Sequence, residues 1–158
     1  AVLACSPVAA RLIRGLPRAP LVGFHAFRLP LELMMHRAAA EGVMPVQMSY
    51  SGRNFDIVTG ITALGMAWAL RRRVSWGLVF AWNALGTLLL VTVVGIAVGS
   101  LPLFHAFGTA PAQLNTWVTH APFAWLPLIL VPAALLGHLL IWRWLFSPAY
   151  RQSSVTAP

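Results

Sequence analysis

The run of residues 76–98 is the feature that most restricts the fold of this chain, because Asn83 is its only strongly polar residue. As an α-helix the run extends ~35 Å, which is enough to cross a hydrocarbon core of ~30 Å with some tilt. The composition agrees, since 59% of the 158 residues are hydrophobic and only 9% are charged. Soluble domains carry about 25% charged residues. The sequence therefore predicts an integral membrane protein.

Three further segments are apolar enough to be read as spans, namely residues 21–40, 54–70 and 123–142. The predicted fold class is therefore all-α, a polytopic transmembrane helical bundle with four spans in this chain. The apolar residues 1–10 precede the first arginines and resemble the end of an earlier helix. We expect a truncated chain whose parent has five spans.

This pattern also predicts the domain organisation. Residues 1–20 are expected to be a cytoplasmic segment containing the tail of a truncated helix, residues 21–145 the transmembrane domain, and residues 146–158 a cytoplasmic tail.

The distribution of arginine predicts the orientation. Cytoplasmic loops of membrane proteins are enriched in Arg and Lys, and eight arginines would share one face of a four-span protein. They are Arg11, Arg14, Arg18, Arg71, Arg72, Arg73, Arg143 and Arg151. We therefore expect a multi-pass protein of the bacterial cytoplasmic (inner) membrane. Topology also explains the net charge of +8 without a nucleic-acid partner. Several tryptophans lie near proposed span ends, as in an aromatic belt: Trp76, Trp117, Trp125, Trp142 and Trp144.

Four ionisable residues form a polar stripe on one face of the first predicted span, at His25, Arg28, Glu32 and His36. Ionisable groups at membrane depth are costly and usually face a protein interior or a water-filled cavity. By helical rise, two residues of later spans fall at the depth of His25 and Arg28. They are Asn83 and His138. These six residues are the candidate intramembrane polar site for a ligand.

Two other interpretations of these residues stay open. In the first, Arg28 and Glu32 neutralise each other on one helix while the remaining groups bond neighbouring helices. In the second, histidines pair across the bundle to hold haem or a metal. The histidines divide by depth into a cytoplasmic set, His25 and His138, and an opposite set, His36, His105 and His120.

A second concentration of polar residues lies in the loop before the second predicted span. Its candidate binding residues are Gln47, Tyr50, Arg53, Asn54 and Asp56. With Glu41 and His36 they could line an extracytoplasmic pocket for a small polar or anionic ligand. The simpler interpretation is a turn at Ser51 and Gly52, followed by a helix that Asn54 or Asp56 caps.

Several motifs together resemble a family of uncharacterised bacterial integral membrane proteins. They are Pro45-Val46-Gln47-Met48, Gly52-Arg53-Asn54-Phe55-Asp56-Ile57, Ala81-Trp82-Asn83, Pro122-Phe123-Ala124-Trp125-Leu126-Pro127 and Gly137-His138. The similarity covers residues 21–145. Members commonly carry Glu where this chain has Ser51, and related chains carry an extra N-terminal span. The resemblance implies the same membrane topology and supports the candidate site residues named above. It implies no activity, because none is known for the family.

Function can be predicted only by class. The leading expectation is a non-enzymatic membrane protein that binds a ligand, transports it or serves as a subunit of a membrane complex. A haem- or metal-binding oxidoreductase component and a purely structural subunit are the alternatives. No catalytic motif is present, and Cys5 is the only cysteine. We expect no cofactor unless haem binds, and as partners the lipid bilayer and a second copy or other subunits.

Overall fold

The computed structural model describes residue 15, residues 17–72 and residues 74–147. Within these ranges the regular structure is helical and contains no strand. Helix α1 is Arg18–Gly23, a 3₁₀ turn is Phe24–Phe27, α2 is Arg28–Ala40, α3 is Ile57–Ala69, α4 is Trp76–Gly99, and a π-helical segment, Leu126–Leu130, leads into α5, Val131–Leu145. Because Gly23 and Phe27 keep right-handed helical backbone angles, α1 and α2 form one continuous rod.

The apolar helices agree with the sequence to different degrees. Two helices are long and apolar enough to cross a membrane, Trp76–Gly99 and Leu126–Leu145. The first matches the predicted span 76–98 to within one residue, whereas the second is shifted a few residues beyond 123–142. Helix α3 begins at Ile57 instead of residue 54 and has 13 residues. It is therefore ~20 Å long and shorter than the predicted span.

Two apolar clusters hold the helices together and leave a polar layer between them. One cluster packs α1, α3, α4 and α5 through side chains that include Val22, Ala63 and Ile141. The other packs α2 against the loops through Met35 and Trp117. Along the α1–α2 rod, the buried polar residues lie between these two clusters. The fold therefore places charged side chains in the middle of the bundle.

Two loops are joined at the end of the bundle opposite the α3–α4 connection. The buried Gln47 side chain donates from Nε2 to Ser100 Oγ at 3.1 Å and to the Gln113 carbonyl at 2.8 Å. Asn115 donates from Nδ2 to the Ala97 carbonyl at 2.9 Å. These bonds fix the loop after α4 against both α4 and the loop before α3.

The turn predicted at Ser51 and Gly52 is present, since the Gly52 N–H donates to the Ser49 carbonyl at 2.9 Å. A Cβ at Gly52 would overlap the carbonyl oxygen of Val46 and lie 2.7 Å from Gln47 Cα. Because backbone atoms must shift to relieve this overlap, we expect Gly52→Ala to lower the free energy of unfolding by about 1–2 kcal/mol. Gly77→Ala is the matched control, since its Cβ would meet nothing within 4 Å.

Thermal unfolding in detergent, followed by circular dichroism, would compare the two variants with the wild type. Equal midpoints for Gly52→Ala and the wild type would contradict the tight turn.

Candidate functional site

The centre of the site is an ion pair between the start of α2 and the start of α3. Arg28 Nη1 donates to Asp56 Oδ1 at 2.6 Å, and the two side chains are 1% and 6% exposed. Arg28 therefore bonds Asp56, the residue immediately before α3, and not Glu32 on its own helix as one interpretation expected. The physical reason is close helix packing, since the backbone of Gly60 on α3 lies directly against Leu29.

Asn54 holds the second buried carboxylate. Its Nδ2 donates to both oxygens of Glu32, at 2.8 and 2.9 Å, and to the Met48 carbonyl at 3.0 Å. Its Oδ1 accepts the backbone N–H of Asp56 at 3.0 Å. Of the two predicted caps, Asn54 thus accepts a backbone amide where α3 begins, whereas the Asp56 side chain makes no capping bond. We call Arg28, Glu32, Asn54 and Asp56 the polar cluster.

A pair of fully buried histidines lies beside the polar cluster. The rings of His25 and His138 have centroids 4.1 Å apart and planes inclined by 33°. His138 Nδ1 lies 2.7 Å from Asn83 Oδ1, and Asn83 Nδ2 donates to the His138 carbonyl at 3.3 Å. Because the amide oxygen can only accept, Nδ1 carries the hydrogen in this arrangement. The structure thus brings together three predicted site residues from three helices.

Glycines make room for this histidine pair. A Cβ at Gly86 would lie 2.6 Å from His138 Cε1, and a Cβ at Gly137 would lie 2.7 Å from His25 Nε2. Sequence analysis did not identify these two positions as part of the site. The two ring centroids are only 4.1 Å apart, so a haem held between the rings would require their separation. Among the described residues, no group of three or more His, Cys, Asp or Glu could hold a metal ion.

Several polar atoms around these residues are buried and have no hydrogen-bond partner. In the described part of the chain they include His25 Nδ1 and Nε2, Arg28 Nε and Nη2, Asn115 Oδ1, Trp117 Nε1 and His138 Nε2. Folded proteins pair about 90% or more of their buried polar groups, so this concentration is unusual. Buried polar groups without partners call for an explanation, such as a functional role or an ordered water.

A cavity of about 310 Å³ lies against the polar cluster. Polar residues form one part of its wall: Arg28, Glu32, Asp56, Asn115 and Trp117. The other lining residues are apolar and come mainly from α4 and from the helix ending in α5, through Leu90, Val93, Val94, Ala97, Val98, Leu126, Pro127, Leu130, Val131 and Ala134. The histidine pair does not line this cavity. The polar part of the cavity wall therefore comes from Arg28 and its neighbours and not from the histidines.

The residues predicted to line an extracytoplasmic pocket contact several different partners in the structure. The His36 ring stacks on Tyr50 with centroids 4.4 Å apart, and its Nδ1 lies 3.2 Å from Ser49 Oγ. The Arg53 guanidinium lies 5.3 Å from the centre of the Phe107 ring, and the exposed Glu41 bonds Arg37.

Other predicted residues also take different places. Gln47 joins the loops, while Asn54 and Asp56 turn inward to the polar cluster. His105 and His120 are exposed, and His36 is the only member of the predicted opposite histidine set with a described aromatic stacking partner.

Sequence analysis placed Trp117 in an aromatic belt, but the structure buries it to 6% exposure beside the cavity. Its packing against Phe123 and Met35 belongs to the second apolar cluster. Asn115 was not identified at all. Their positions depend on how the loop after α4 folds back, and no local pattern in the sequence encodes this.

Comparison with known proteins identifies a family for this chain, but that family has no assigned activity. No curated protein and no solved structure matches the chain. The model of a family described as a domain of unknown function, DUF8737, matches residues 1–146. This range includes the polar cluster, the histidine pair and every residue that lines the cavity. The agreement with an uncharacterised family was expected from the resemblance, and the chain belongs to the DUF8737 family of unknown function.

Proposed function

We propose that this chain is a multi-pass protein of the bacterial cytoplasmic membrane that binds a small ligand in the cavity beside Arg28. The observation that carries the proposal is the state of Arg28. Its side chain is buried, lines a cavity of about 310 Å³, and leaves Nε and Nη2 without hydrogen-bond partners. A small-molecule site of this kind combines an apolar wall with a few convergent polar groups.

The distribution of polarity supports a membrane location. The two long helices expose large apolar side chains such as Leu88, at 62%, and Leu128, at 73%. Only 39% of the most apolar window of each helix is buried inside the chain, whereas a core helix of a soluble protein is mostly buried. His25, Arg28 and Glu32 lie inside. Apolar residues outside and ionisable residues inside are the pattern expected of a bundle surrounded by lipid.

Four spans are proposed, with the α1–α2 rod and α3 as the other two. The rod contains segments of 6, 4 and 13 residues, so it extends ~34 Å and is long enough to cross. Helix α3 is short, but arginine side chains can reach the interface beyond its end. Arg72 lies 4.7 Å from the centre of the exposed Trp68 ring, as expected for an anchor at the headgroup level.

Ligand binding explains the polar residues better than helix bonding alone. A purely structural ion pair is stable only if the remaining hydrogen-bonding groups are also satisfied. Asp56 accepts a hydrogen bond from Arg28, and Glu32 accepts from Asn54. Two guanidinium nitrogens of Arg28 and the Trp117 indole N–H have no hydrogen-bond partner. These unused donors lie on residues that line the same cavity. The structural alternative accounts for the bonds but leaves the donors and the cavity unexplained.

Filling the cavity tests ligand binding. Ala134 is buried and lines the cavity, so we expect Ala134→Leu to occupy the space of a ligand. Ala81→Leu is the control on the exposed surface of α4. Small molecules extracted from each purified protein would be quantified by mass spectrometry. We expect a molecule that is retained by wild type and Ala81→Leu and is reduced at least tenfold in Ala134→Leu.

The same retention in all three proteins, or no retained molecule in any of them, would contradict the proposed site and favour a structural role for the polar cluster.

A further inference from the structure

The chemistry of the cavity limits which ligands fit. We infer that the ligand is a lipid-soluble molecule with a neutral head group bearing carbonyl-type oxygens, and that it enters from the bilayer between α4 and α5. This inference rests on the proposed ligand-binding function and specifies its ligand class. Quinones and neutral glycerolipids share this chemistry, and the experiment below separates them.

The apolar walls require an apolar body. Leu90, Val94 and Leu130 are among the aliphatic side chains that line most of the cavity, and only a few of its lining residues are polar. A small polar metabolite would leave these walls in contact with water or with its own polar groups, at a cost that rises with the apolar area. A molecule with a polar head and an apolar body matches both parts of the wall.

The charges at the polar side exclude a simple anion site. Arg28 already bonds Asp56, and Glu32 adds a second carboxylate to the cavity wall. An anionic head group would therefore meet two acidic residues and one arginine that is already paired. Like charges inside a region of low dielectric repel strongly. A neutral head group avoids this repulsion and leaves the ion pair intact.

The unused polar atoms determine which groups the head should carry. Arg28 Nε, Arg28 Nη2 and Trp117 Nε1 are donors without partners, while Asn115 Oδ1 is an acceptor without one. Donors predominate, so the head group should mainly accept hydrogen bonds, as carbonyl and ester oxygens do. All four atoms are out of contact with solvent, so a head group reaches them only after side chains at the cavity wall rotate, and it then breaks no existing hydrogen bond of theirs.

The position of the cavity indicates how such a molecule enters. Val98 lines the cavity from α4 and is 43% exposed, and Pro127 lines it from the opposite helix and is also exposed. One edge of the cavity therefore lies at the outer surface of the two helices that are long and apolar enough to cross a membrane. A volume of about 310 Å³ is at the lower end for small-molecule sites, so a long tail would extend past this edge into lipid.

Thermal shifts of the full-length purified protein test the ligand class. The neutral probes are a decyl-substituted benzoquinone and dioctanoylglycerol, and sodium decanoate is the anionic control. We expect a saturable rise in the unfolding midpoint with at least one neutral probe and none with decanoate. A response to the benzoquinone alone assigns a quinone-type ligand, and a response to dioctanoylglycerol alone assigns a glycerolipid.

Trp117→Phe removes the indole donor and keeps an aromatic ring. For the active probe we expect about fivefold to tenfold weaker binding, the loss typical of one hydrogen bond. Trp125→Phe is the control, since Trp125 is 65% exposed and does not line the cavity. Equal affinity of Trp117→Phe and wild type would overturn the assigned donor role.

Failure of this inference can be distinguished from failure of the proposed function. Stabilisation by decanoate alone would overturn the neutral head group. A further outcome is that wild type retains a native molecule that Ala134→Leu loses while neither neutral probe raises the unfolding midpoint. That result would overturn the ligand class but would still support the binding site. Absence of any retained molecule in the extraction experiment would overturn the site and this inference together.

Discussion

Arg28→Leu is expected to lower the free energy of unfolding by about 3–5 kcal/mol, the cost typical of removing one partner from a buried ion pair. The reason is the carboxylate that remains. Asp56 is 6% exposed on its side chain, and Arg28 supplies its ion-pair partner. Without Arg28, Asp56 must either keep an unpaired charge inside the bundle or take up a proton, and both options destabilise the fold at neutral pH.

A surface ion pair provides the matched control for this prediction. Arg37 and Glu41 also form a 2.6 Å pair, but their side chains are 80% and 53% exposed. Exposed pairs of this kind contribute ~0–1 kcal/mol, so Arg37→Leu should change the unfolding midpoint little. The double variant Arg28→Leu with Asp56→Leu should recover much of the stability that the single variant loses, because it leaves no unpaired charge.

Reversible unfolding in mixed micelles would measure all four proteins. Similar losses for Arg28→Leu and Arg37→Leu would contradict the buried ion pair, and so would a double variant less stable than the single one.

Gly60→Ala is expected to cost about 3 kcal/mol, the upper end of the range for overpacking. Helix α3 meets the α1–α2 rod at this residue, where an added Cβ would lie 2.5 Å from the backbone nitrogen of Leu29 and 3.0 Å from the carbonyl carbon of Arg28. Backbone atoms of a packed helix cannot rotate aside as a side chain can. The two helices must therefore separate, and their separation lengthens the bond between Arg28 and Asp56.

Gly65 offers a control on the same helix. A Cβ at this position would meet nothing within 4 Å, and Ala is favoured over Gly in helices by ~1 kcal/mol. We expect Gly65→Ala to unfold at the wild-type midpoint or slightly above it. If Gly60→Ala behaved in the same way, α3 would not pack against the rod as described.

The long apolar helices were the easiest part of the fold to predict. Helix α4 was placed to within one residue because residues 76–98 contain a single strongly polar residue and are followed by Gly99 and Ser100. The predicted span began too early, at residue 54, because the apolar run from Ile57 is short for a membrane crossing and was extended toward the loop. Asn54 does bond a backbone amide, but the helix begins after Asp56. Local signals therefore located the elements better than their ends.

Helical geometry was enough to predict one part of the site. Counting the rise along each span placed His25, Asn83 and His138 at one depth, and the structure brings these side chains into contact. The partner of Arg28 was missed because spacing along one helix is visible in a sequence, whereas contact between α2 and the start of α3 depends on packing. The same limit applies to Trp117, which reaches the cavity only because its loop folds back.

The glycines that permit these contacts can be predicted in part from the sequence. Small residues inside apolar helices mark positions of close helix approach in membrane proteins. Gly60 and Gly86 fit this rule, since added Cβ atoms would clash with another helix at both positions. Gly65 lies in the same kind of sequence, but a Cβ added there would meet nothing within 4 Å. The rule therefore identifies candidate positions, and the packing of the helices selects among them.

The sidedness of two single cysteines tests most directly whether the polar cluster lies within the membrane. In a Cys5→Ser background, Val43→Cys reports the exposed loop after α2, and Ser75→Cys reports the connection between α3 and α4 without removing an arginine. A membrane-impermeant maleimide is added to intact cells and then to opened membranes. We expect Val43→Cys to react in intact cells and Ser75→Cys to react only after the membrane is opened. Reaction of both cysteines from the same side would mean that α3 does not cross, and it would contradict the four-span bundle around Arg28.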